Sequence, residues 1–93
     1  MDINLITGKF LSDFKYEGNQ FAEFAGTPVF RDVWEGALIK IGNAYFSGKI
    51  DLDKEIDEEY HRDFNTVQSK FSKTYLFLRM QFLLWLSDES NYL

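Results

Sequence analysis

The stretch LDKEIDEEYHRDFNTVQSKFSKTYLFLRMQFLLW, residues 52–85, places apolar side chains at Leu52, Ile56, Tyr60, Phe64, Val67, Phe71, Tyr75, Leu78, Phe82 and Trp85. The steps of three and four average about 3.7 residues, close to the α-helical 3.6. Neither Gly nor Pro interrupts them. Up to about Lys70 the residues off this stripe are polar, and from Tyr75 onward the segment is apolar nearly all round. The pattern reads as one helical phase joining a solvated amphipathic front to a buried rear. As a single helix to Ser87 it would be about 54 Å long, whereas a compact chain of this size has a radius of gyration of about 12 Å. Either the helix breaks, with Ser69–Ser72 as the place for it, or it projects and is covered by a partner. The unbroken phase favours projection or a gentle kink, and a symmetric homodimer through residues 52–86 would supply the cover.

Upstream, Thr27-Pro28 is the cleanest helix start in the chain, because a first-turn Pro lacks an N–H that would be unpaired anyway. Phe30, Val33, Trp34, Ala37, Leu38, Ile41, Ala44 and Tyr45 then mark one helical face to about Phe46, and Gly48 stands where a C-cap wants it. The competing pattern is a two-residue turn at Gly42-Asn43 between short strands. Ser47 to Ile50 reads as a loop, with Asp51 or Asp53 capping the next helix. At the N-terminus, Asp2 caps a helix whose apolar positions are Ile3, Ile6, Phe10 and Phe14. The alternative there is a hairpin over 10–25, with Phe10, Ser12, Phe14 and Tyr16 alternating before a turn at Glu17-Gly18-Asn19. A short helical turn over Gln20 to Ala25 also fits. The expected fold is therefore mainly α, three to four helices packed around a long C-terminal helix, in one small domain spanning 1–93. An α+β fold with an N-terminal hairpin is the runner-up.

Composition narrows the function classes. There are ten Phe, five Tyr and two Trp among 93 residues, which favours a compact fold over disorder. The absence of Cys removes disulfides and thiolate metal sites. The first residues show no secretory leader, and the apolar run Tyr75–Leu86 is too short to span a bilayer. A cytoplasmic protein without a membrane span is expected. The net charge is −5, and residues 51–63 carry all of it, with seven acids against two bases. This argues against direct nucleic-acid binding.

Residues that could carry chemistry are sparse. Glu58-x-x-His61 has the spacing used by di-iron bundles, but such sites need two such motifs and two further carboxylates, and the chain has one His. On helical geometry, both residues should also face solvent. No Ser has a base at a recognisable spacing, and the glycines form neither a dinucleotide fingerprint nor a phosphate loop. No enzyme, metal or cofactor is expected. The acidic run remains as the functional lead: a docking face for a protein with a basic surface. Its carriers would be Asp53, Asp57, Glu58 and Asp63, with Tyr60 and His61 as anchors. The expectation is a small acidic binding protein that neutralises a macromolecular partner by occlusion, of the immunity, antitoxin or phage anti-defence (anti-CRISPR) type. The alternative is a non-enzymatic helical structural subunit or dimerisation module.

Overall fold

The computed structural model describes residues 2–14 and 27–93, apart from the side chains of residues 28–30. The fold is mainly α. Its helices are α1 (Ile3–Asp13), α2 (Pro28–Phe46), α3 (Leu52–His61) and α4 (Lys70–Ser87), with 3-10 turns at Phe64–Thr66 and Glu89–Asn91. The described residues contain no strand.

Three of the four helices start on a side chain that accepts from a first-turn N–H. The Asp2 carboxylate accepts from the Asn4 N–H at 3.0 Å, and Asp51 accepts from the Lys54 N–H at 3.3 Å. Thr27 occupies the N-cap position of α2, and Pro28 is its first helical residue. The other end of α2 closes on Gly48, whose φ of +73° suits a residue without a Cβ. The Gly48 N–H donates to the Tyr45 carbonyl at 3.1 Å, and the Lys49 N–H to the Ala44 carbonyl at 2.9 Å. This is the Schellman arrangement.

The core is built by α1, α2 and α4. Ile6, Phe10 and Leu11 meet Trp34, Leu38 and Ile41 from α2, and Leu78, Phe82, Leu83 and Leu86 from α4. Phe10 is its aromatic hub, with ring centroids 4.9 Å from Phe82 and 5.5 Å from Trp85. Burying each such large side chain is worth about 1.5–3 kcal/mol before entropy. At Gly42, α1 presses close on α2: a Cβ there would lie 2.3 Å from Ile3 Cδ1 and 3.5 Å from Phe82 Cε2. Thus α4 is the central element, as expected, but in a shorter form.

Two expectations are corrected, and two alternative readings are removed. Residues 52–86 are not one projecting helix. The chain leaves helical geometry at Arg62, makes the 3-10 turn, and re-enters at Lys70. Ser69 caps that restart, accepting from the Ser72 N–H at 3.0 Å. The interruption therefore begins well before Ser69. Asp63, Thr66 and Ser69 all bond to nearby backbone, and such bonds compete with helix propagation. Second, the apolar stripe is not covered along α3: Tyr60 is 84% exposed and Ile56 42%. Third, Gly42-Asn43 lies inside α2 and makes no turn. Fourth, Phe10 and Ser12 lie inside α1, which removes the first strand of the hairpin alternative. The rest of that hairpin, and the turn over Gln20 to Ala25, fall outside the described residues.

Candidate docking face

Helix α3 contributes no buried residue. It is held against the body from one side only. Leu52 packs at the edge of the core. One turn on, the Glu55 carboxylate takes both arms of the Arg79 guanidinium: Nη1 donates to Oε2, and Nη2 to Oε1 at 3.0 Å. Both side chains are largely shielded, at 17% and 23% exposure. The bonds that Arg79 donates to Glu55, and the negative charge there, raise the Arg79 pKa, outweighing the desolvation that lowers it. Paired bonds of this kind fix orientation as well as supplying energy. They explain why an arginine sits in the otherwise apolar rear of the C-terminal segment.

The acidic run is thereby divided by role. Glu55 is committed to Arg79 and Glu59 to Arg62. Asp51 caps α3, and Asp63 caps the 3-10 turn by accepting from the Asn65 N–H at 2.9 Å. Asp53, Asp57 and Glu58 are exposed. Asp57 Oδ1 stands 3.4 Å from His61 Nε2 across one exposed turn. Taking about 100° per residue and measuring from Ile56, Tyr60 lies about 40° round, Asp53 about 60° and Asp57 about 100°, all on one side. Glu58 lies about 160° from Ile56, on the far side of the helix. The His61 ring meets Tyr60 edge-on, with centroids 5.2 Å apart. Of the six residues predicted as a docking set, the structure gathers Asp53, Asp57, Tyr60 and His61 on one face. Glu58 turns away from it and Asp63 follows the helix as a cap.

Beside Tyr60 a groove of about 280 Å³ runs between α3 and α4, lined by Ile56, Glu59, Tyr60, Met80 and Leu84. Its surface is almost wholly apolar. Ile56 and Tyr60 form an i,i+4 ridge on α3, and Met80 and Leu84 form a second on α4. Leu84 is 41% exposed. Sequence reasoning missed this groove because it carried residues 52–86 on as one helical phase, whereas the groove needs two helices side by side. The available signal was Arg79: a cation in an apolar run needs a carboxylate partner, and one from α3 would draw that helix alongside α4.

A second depression of about 540 Å³ follows α2, where Val33, Gly36 and Lys40 face Tyr75 and Arg79. Its lining mixes both charges with apolar groups. Among the described residues no cluster of His, Asp and Glu could hold a metal ion, and no helix is long and apolar enough to cross a membrane. Glu58 and His61 are both exposed. Comparison of the chain with protein-family profiles, curated proteins and solved structures finds no match.

Proposed function

We propose that this chain is a small acidic binding protein that neutralises a basic macromolecular partner by covering its working surface, without catalysis. Immunity proteins, antitoxins and phage anti-defence proteins act in this manner. The observation that carries the reading is the outward face of α3, where Asp53 and Asp57 flank the exposed Tyr60. An aromatic anchor beside unburied charge combines contact area with steering of an oppositely charged partner. The homodimer reading rested on a helix too long for the domain. Residues 52–86 instead fold back as α3 and α4, so that argument no longer applies.

The test is kinetic. A photocrosslinking side chain at position 60 identifies a bound protein, and association rates are then measured with the purified partner. The double variant Asp53→Lys, Asp57→Lys should slow association by about tenfold or more at low salt, with the difference shrinking as salt rises. Equal rates for the variant and the parent chain at low salt would overturn the proposal.

A further inference from the structure

Resting on the binding reading above, we infer that the groove between α3 and α4 receives a basic amphipathic α-helix of the partner protein, its apolar residues seated between Ile56, Tyr60, Met80 and Leu84. Three observations select this occupant.

The first is the chemistry of the walls. Four of the five lining residues are apolar, and the fifth, Glu59, already accepts from Arg62. An extended segment laid here would place backbone N–H and C=O groups against surfaces that offer them nothing, and unpaired polar groups are costly to dehydrate. The described residues contain no strand, so no sheet edge is present for an added strand to pair with. A helix satisfies its own backbone and presents only side chains.

The second is shape. The groove lies between two ridges of i,i+4 pairs on neighbouring helices, the relief into which a third helix packs its own ridge. Its volume of about 280 Å³ suits a few large side chains rather than a whole ligand.

The third is charge. Asp53 and Asp57, both exposed, line the outer flank of the Tyr60 ridge. One flank of the apolar strip therefore lies beside carboxylates. This favours Lys or Arg along that side of the partner's apolar face and disfavours a second copy of this acidic chain.

The experiment uses the full chain with labelled Ile, Leu and Met methyl groups and three synthetic probes of equal positive charge. One is a Leu/Lys peptide with leucines at helical i, i+3, i+4 spacing. The second has the same composition permuted so that no apolar face forms, and the third is oligolysine. The amphipathic peptide should bind about tenfold or more tighter than the permuted one, the scale of a hot-spot contact. It should shift the methyl signals of Ile56, Met80 and Leu84, and Tyr60→Ala, at an exposed position, should remove most of that advantage. Equal binding of all three probes would overturn the groove inference while leaving the acidic docking face intact. Shifts confined to the depression along α2 would also overturn it. No binding by any probe at low salt would overturn both the groove and the acidic-face reading.

Discussion

Gly36 and Gly42 both lie inside α2, yet they stand in opposite surroundings. A Cβ at Gly36 would meet nothing within 4 Å, whereas at Gly42 it would drive into Ile3. Gly36→Ala should therefore gain most of the helix-propensity difference, up to about 1 kcal/mol. Gly42→Ala should show no such gain and a lower melting temperature than Gly36→Ala, since Ile3 must shift to admit the methyl. Thermal unfolding of the two variants side by side checks this, and equal stabilisation would show that α1 yields freely. In the sequence the two glycines look alike. Only the neighbours across the interface distinguish them, and those neighbours come from a different helix.

Helix starts were legible because their chemistry is local: Asp2, Thr27-Pro28 and Asp51 each announce a start within a few residues. The interruption between α3 and α4 was not. The apolar spacing continues through residues 62–69 although the helix does not, because periodicity counts residues and says nothing of direction in space. The cluster Asp63, Asn65, Thr66 and Ser69 was the better signal, since such side chains hold their own backbone away from helical bonding. What keeps α3 beside α4 is the Glu55–Arg79 pair, and its removal should be felt mainly by α3. Arg79→Ala should destabilise the fold by about 1.5–3 kcal/mol, the range for hydrogen bonds to charged groups. A double-mutant cycle with Glu55→Gln should return a coupling of at least about 0.5 kcal/mol. Additive losses would mean that the two side chains act independently.

For the molecule as a whole, composition and phase pointed to a mainly α fold with the C-terminal helix at its centre. They did not reveal that the amphipathic front would turn back beside the rear and leave Ile56 and Tyr60 uncovered. A stripe tells which residues share a helix face, while what that face meets depends on where the chain turns. Folding back gives a radius of gyration of 13.0 Å and a longest extent of 36 Å, against about 54 Å for the unbroken helix. Small-angle scattering of the dilute chain should give a maximum dimension well below that rod length, and a profile extending to it would contradict the folded-back arrangement.

The absence of buried residues from α3 also bears on how the sequence can change over generations. Substitutions at Phe10, Trp34 or Phe82 remove core contacts and lower the amount of folded protein. Substitutions at Asp53, Asp57 or Tyr60 leave the core untouched. Under the proposed function, foldability and recognition fall on nearly separate sets of residues. A lineage could then exchange one target for another by drift along a single ten-residue helix, its scaffold unaltered.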